Sequence, residues 1–189
     1  MSATQENSLS ATYQVRFGGV GGQGIVLSGR LLGKAAALFD GKDAVCTQTY
    51  GPEARGGASR SDVVISDSQV DYPFVTQADV LAVFFQEAYM MFRDCLKPDG
   101  LLIIDTALVK PLEEDKNLHA IPATKIAEEL GNRMAANVVI LGYLVGKTGI
   151  VSRESVENAI RSTMKTKIVE LNLKAFDAGM RLAEESSTP

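Results

Sequence analysis

The 189-residue chain has only two cysteines and one histidine: Cys46, Cys95 and His119. That scarcity excludes several chemistries. Neither cysteine belongs to a C-x-x-C pair, so no zinc or dithiol motif is present. Two thiols are too few for an ordinary four-cysteine iron–sulfur cluster, and both are read as buried thiols packing as small apolar groups. One histidine leaves no autonomous zinc site and no serine–histidine triad. His119 reads as a strand or surface residue. The net charge is -4 and no basic run occurs, which argues against a general nucleic-acid binder. No apolar stretch reaches the roughly 18–20 residues of a membrane span. The opening residues, 1–11, are polar and lack the charged-then-apolar pattern of a secretory signal. They are expected to form a disordered polar tail, and the location is expected to be cytoplasmic.

Hydrophobic residues make up 46% and charged residues 22%, a balance that supports one ordinary globular core. The strongest local feature is Gly18 to Gly24, G-G-V-G-G-Q-G. An alternating run with Tyr13, Val15 and Phe17 predicts a strand over 12–17 before it. Ile25, Leu27, Leu31, Leu32, Ala35 and Leu38 predict a helix over about 23–39 after it. A strand, a glycine turn and a helix N-terminus form an anion site, most often for phosphate. The alternative is a tight turn with no ligand. Gly19-Val20-Gly21-Gly22-Gln23-Gly24 matches G-x-G-x-x-G, but NAD is a poor fit. Its ribose needs an acid at the end of the second strand. The predicted strand 43–49 has its acid, Asp43, at the start. No G-K-S/T follows, so a Walker loop is absent.

A second unusual stretch, Thr49 to Arg60, reads T-Y-G-P-E-A-R-G-G-A-S-R. Gly51-Pro52 and Gly56-Gly57 mark a loop. It carries Glu53, Arg55 and Arg60, either on a solvated turn or as phosphate or carboxylate binders beside the glycine turn. Further strands are predicted at 62–66, 80–85, 101–105 and 118–121, and helices at about 87–95, with Lys97-Pro98-Asp99-Gly100 as a stop, and 123–130. Asp105 suits helix capping. Met134 to Val145 is apolar nearly all round, so it is buried in its own core or against a partner. Asn137 inside it needs a hydrogen-bond partner, within the chain or in a neighbouring subunit. Ser152 opens a helix with an imperfect capping box, since the acid sits at Glu154. A last helix spans about 167–184. The pattern predicts an α/β, Rossmann-like fold: a mainly parallel open sheet with flanking helices and a helical C-terminal third, in a single domain over 12–185.

Two motifs together carry a family resemblance. F-G-G-V-G-G-Q-G-I (17–25) followed by Q-T-Y-G-P-E-A-R-G-G-A-S-R-S-D-V-V-I-S (48–66) resembles the gamma subunit of 2-oxoacid:ferredoxin oxidoreductases. D-Y-P at 71–73 and N-L-K-A-F-D-A-G at 172–179 fit as well, and the resemblance covers about residues 13–183. The Y-G-P-E-A-R-G-G form looks like the 2-oxoglutarate branch. Pyruvate, 2-oxoisovalerate and indolepyruvate members are the alternatives, with a free-standing nucleotide-binding oxidoreductase behind them. The resemblance implies oxidative decarboxylation of a 2-oxoacid with coenzyme A, reducing ferredoxin. It implies thiamine diphosphate, magnesium and iron–sulfur clusters in partner subunits (alpha, beta and a ferredoxin-like delta), with no cofactor held by this chain alone and no catalytic residue in it. The coenzyme A phosphates would meet Gly19, Gly21, Gly22, Gln23 and Gly24 with Glu53, Arg55, Gly56 and Gly57.

Overall fold

The computed structural model describes residues 12–49 and 57–186. Glu53, Arg55 and Gly56 lie outside the described residues, as does the stretch read as a polar tail. The elements run β1 (Thr12–Val20), α1 (Ile25–Lys34), β2 (Asp43–Thr49), β3 (Ala58–Ser66), β4 (Ala78–Val83), α2 (Gln86–Phe92), β5 (Leu96–Asp105), β6 (Leu118–Ile121), α3 (Ala123–Glu129), α4 (Ala136–Thr148), α5 (Arg153–Thr163) and α6 (Thr166–Glu185). The six strands form one sheet in the order β2-β3-β1-β4-β5-β6. β1, β4, β5 and β6 are parallel neighbours, whereas β3 pairs antiparallel with both β1 and β2. β2 therefore runs with β1, and β3 alone runs against the rest. The sheet is mixed rather than built wholly of strand–helix–strand crossovers.

Three local features differ from the sequence pattern. Gly18 and Gly19 are strand residues, paired with Arg60 and Ser59. Ala58 to Arg60 belong to β3, not to a loop. Lys97-Pro98-Asp99-Gly100 lies inside β5. There Ala78 faces Leu96 but Val80 faces Leu101, so the turn residues bulge out between two paired segments. The α1 helix also widens into a π turn at Ala35–Phe39 before Asp40.

One sheet face (Val15, Phe17, Val63, Val80, Ala82, Ile103) packs against α1 and the C-terminal helices. The other (Leu81, Val83, Leu102, Ile104) is covered mainly by α2 and loops. The predicted apolar helix is α4, and it is covered within this chain: Ala136 to Val145 are all buried. Its closest neighbour is α6. A Cβ built at Gly179 would overlap the Val139 carbonyl oxygen, and one at Gly142 the Phe176 carbonyl oxygen. The two helices cross backbone to backbone, which only glycine allows at those positions.

Capping matches the sequence in two places. Asp105 is fully buried and accepts from Thr124 N at 2.9 Å and Ala107 N at 3.0 Å, holding the start of α3. Ser152 caps α5, and the acid missing from its box is supplied by Asp40, which accepts from Ser152 N at 2.6 Å and Ser152 Oγ at 2.8 Å.

His119 lies on β6, half-buried, with Nδ1 2.5 Å from the Tyr143 hydroxyl. Burial, and then the nearby Lys147 charge, pull its pKa below the ordinary value. The unfolded chain thus binds the proton more readily than the folded one. The stabilising contribution is present above the unfolded pKa of about 6.5 and is lost as pH falls through the lower folded value. The urea midpoint is expected to drop between about pH 7 and pH 5, and to drop less in His119→Gln.

The crossing makes a second prediction. Gly179→Ala should destabilise by about 3 kcal/mol or more, because backbone rather than a flexible side chain must move. Gly21→Ala, where an added Cβ meets nothing within 4 Å, should leave the thermal midpoint nearly unchanged.

Candidate functional site: the cleft at the glycine turn

The carboxyl ends of β1, β2 and β4 and the amino end of β3 share one sheet edge, because Val20 pairs with Ala58 and Arg60 with Thr49. Both unusual stretches leave from that edge, where open α/β sheets bind ligands. β3 separates β1 from β2. An acid ending β2 would therefore not neighbour β1 as a dinucleotide site requires, which is a second reason against NAD.

The turn is locked from behind. Gln23 accepts from Val20 N through Oε1 at 2.8 Å and donates through Nε2 to the Phe84 carbonyl at 2.7 Å. It thereby ties the ends of β1 and β4 to the turn, and its amide is used inside the chain rather than on a ligand. Gly19 is likewise occupied: a Cβ there would lie 2.5 Å from Ile25 Cδ1. These two predicted ligand positions are brought to the turn as its framework. Gly22 and Gly24 have φ of 91° and 76°, left-handed values suited to glycine. Gly24 caps α1, and Ser28 N donates to its carbonyl at 2.9 Å. Asn137, from the first turn of α4, donates through Nδ2 to Gly24 O at 3.2 Å and Ser28 Oγ at 3.3 Å. Its partner is therefore inside this chain.

In front of the turn is a cleft of about 510 Å³. Gly21, Gly22 and Gly24 form its floor with the first turn of α1, whose N–H groups have no carbonyl four residues back within the helix. Gly21 and Gly22 have open space where a side chain would be. Leu27, Met134, Met164 and Ile168 supply apolar walls. Among the described residues, Arg30 is the one ionisable group in the lining. It is exposed and forms no ion pair or hydrogen bond with any described residue. Arg133 borders a smaller cavity of about 200 Å³ on the other side of Gly22 and Gln23. The arrangement offers N–H donors, a helix N-terminus and one free guanidinium, so it can bind an anion. Among the described residues its lining has no aspartate, glutamate, histidine, cysteine or lysine.

Sequence reasoning placed the glycine turn but missed Arg30, since helical periodicity does not say which polar flank meets a cleft. Gly57 is described and half-buried, just before β3. Arg60 does not join the cleft. It lies on the opposite sheet face with Gly18, its Nε 3.7 Å from Asp62. There Asp62 also receives the Arg16 fork, with Nε to Oδ1 and Nη2 to Oδ2 both at 2.7 Å.

The residues also bear on cofactors. Cys46 is exposed on the edge strand β2, not buried as expected, and donates to the Gly29 carbonyl of α1, whereas Cys95 is half-buried and packs with Val64 and Ala78 on the other sheet face. The two thiols cannot meet on one cluster. Among the described residues, no three His, Cys, Asp or Glu side chains gather as a metal site. Among those residues, too, no helix is long and apolar enough to cross a membrane.

Comparison with known proteins fits this geometry. A family model described as pyruvate ferredoxin/flavodoxin oxidoreductase matches residues 14–182. The chain belongs to this oxidoreductase family. Among relatives in the family, 2-oxoglutarate synthase subunit KorC of Methanocaldococcus jannaschii is 48% identical over 176 residues, covering 91% of this chain and 94% of its own. The crystal structure of a keto/oxoacid ferredoxin oxidoreductase gamma subunit from Geobacter sulfurreducens superposes with a TM-score of 0.85 at 42% identity, covering 93% and 98% of the two chains. The 2-oxoglutarate:ferredoxin oxidoreductase of Magnetococcus marinus, solved with 2-oxoglutarate, coenzyme A and succinyl-CoA bound, has a TM-score of 0.83 at 26% identity. The match covers 92% of this chain but 31% of that one, so there the fold is one part of a longer polypeptide. Family members of this kind are subunits of enzyme complexes, as the sequence motifs implied.

Gln23→Leu is expected to cost about 1–3 kcal/mol, because Val20 N–H and the Phe84 carbonyl lose their partner. The urea midpoint should fall with an unchanged slope. A variant as stable as the parent would show that the amide is not the lock.

Proposed function

We propose that this chain is the gamma subunit of a 2-oxoglutarate:ferredoxin oxidoreductase and that its cleft receives coenzyme A. In that reaction the 2-oxoacid loses its carboxyl group as carbon dioxide, the acyl group joins the coenzyme A sulfur, and an electron pair passes to ferredoxin. The single observation that carries the reading is the cleft itself: a glycine turn at a helix N-terminus, one unpaired arginine and apolar walls, in a chain with this family membership. Phosphates suit the turn and Arg30, and the apolar walls suit the uncharged arm of the same molecule.

Thiamine diphosphate with magnesium, and the iron–sulfur clusters, belong in this reading to alpha, beta and ferredoxin-like delta subunits in the cytoplasm. When bound there, thiamine diphosphate supplies the carbanion-stabilising chemistry. This chain's part is to bind and orient coenzyme A at the edge of that centre. The unit over 12–185 acts as one domain, and Arg55 and Glu53 belong to the stretch between Thr49 and Ala58, which both lie at that edge.

The test is the copurified complex assayed with 2-oxoglutarate, pyruvate, 2-oxoisovalerate and indolepyruvate. The expected outcome is coenzyme A-dependent ferredoxin reduction that is fastest with 2-oxoglutarate; preference for another acid would reassign the substrate. Arg30→Ala and Arg55→Ala should each raise the KM for coenzyme A by roughly 10- to 150-fold while leaving the KM for the 2-oxoacid unchanged. Arg55→Lys should restore only part of the loss, since lysine cannot reproduce a forked contact.

A further inference from the structure

Two buried asparagines line the cleft, and each has spent only half of its amide. Asn137 is 2% exposed and donates through Nδ2 to Gly24 O and Ser28 Oγ. Asn172, on α6, is 7% exposed and donates through Nδ2 to the Ile168 carbonyl at 2.8 Å. Neither side-chain oxygen receives a hydrogen bond from a described residue. Neither oxygen is among the sealed, partnerless polar atoms of the chain, and both residues line the cleft, so each oxygen is an acceptor open to a ligand there. Asn172 is the more telling of the two. It sits one turn from Ile168 and one turn from the buried Phe176, within the apolar stripe of α6. Packing would be served there by leucine or alanine.

The two sides of the cleft thus have opposite hydrogen-bonding character. The glycine turn and Arg30 offer donors, and the α6 wall offers an acceptor. A phosphate ionised at neutral pH has little to give an acceptor oxygen. A ligand that engages both sides of the cleft would place a neutral donor toward α6. Coenzyme A carries such groups in its adenine amine and its pantetheine amides.

We infer that Asn172 accepts a hydrogen bond from a neutral N–H group of coenzyme A and so helps to select that ligand over other phosphates. This rests on the reading that the cleft takes coenzyme A. It assigns discrimination to a helix that neither glycine motif touches.

Calorimetric titration of the assembled complex tests it, with coenzyme A and with adenosine 3′,5′-bisphosphate as ligands. Asn172→Leu should weaken coenzyme A binding roughly 3- to 10-fold, the loss of one neutral hydrogen bond. Asn172→Ser, whose hydroxyl is too short to replace the amide, takes its place if the leucine variant does not fold. If bisphosphate binding weakens in parallel, the partner is the adenine amine. If it is unchanged, the partner is a pantetheine amide. Unaltered coenzyme A affinity in the Asn172 variant, with a loss in Arg30→Ala, overturns this inference and leaves the cleft reading standing. No loss in either variant overturns the cleft reading itself, and the inference with it.

Discussion

The backbone-to-backbone crossing of α4 and α6 is the constraint on which the rest of this molecule depends. Gly142 and Gly179 each sit against a carbonyl of the opposite helix, and Gly146 faces Ala183 a turn further on. The close approach lets α4 be buried along almost its whole length without a partner chain. It also fixes where α4 begins. Its first turn brings Asn137 to Gly24, so the position of the glycine turn is set partly by a helix more than a hundred residues later in the chain. The α6 helix, held by the same crossing, supplies Ile168 and Asn172 to the cleft wall. A loss of fit at Gly179 would therefore be felt at the cleft as well as in the core.

The two sheet faces divide the polar groups between them. On the α2 face, Arg16 and Asp62 form a buried two-bond pair, with a further Arg16 contact to the Val75 carbonyl at 3.1 Å. Removing one member would leave the other charge buried and uncompensated, a large cost, so this pair is structural. Arg60 is drawn toward the same carboxylate. The α1 face keeps its arginine free. Arg30 has no carboxylate partner among the described residues and lines the cleft. What separates the two outcomes is strand alternation: Arg60 shares its face with Gly18 and Asp62, whereas Ser59, one residue earlier, lines the cleft.

Much of this was legible before the structure. The element order followed from period-2 and helical patterns, and the glycine turn, the Asp105 cap and the long final helix fell close to their predicted positions. The misses have local causes. Gly18 and Gly19 looked like turn residues, but they are bare so that Phe92 and Ile25 can pack against a strand. Lys97 to Gly100 carry turn residues, yet flanking pairing with β4 holds them as a bulge. The antiparallel insertion of β3 between β1 and β2 leaves no mark in the pattern of a single strand, because pairing partners are tertiary. Asn172 did leave a mark, a polar residue four places from both Ile168 and Phe176. It reads as a defect in the stripe until the cleft is seen beside it.

The chemistry of the cleft lining decides what kind of role the chain can have. Among the described residues Arg30 is its one ionisable group, a fixed fork of donors with no acceptor. Backbone N–H groups, asparagines, a serine and apolar side chains complete the lining. Such a surface can hold, orient and select a ligand, and it can favour negative charge. The two cysteines lie on opposite sides of the sheet, and the histidine lies on β6, away from the cleft. The guanidinium at the cleft mouth and the bare glycines on its floor thus face the same space, and in the proposed reading that space is one side of a site that other subunits finish.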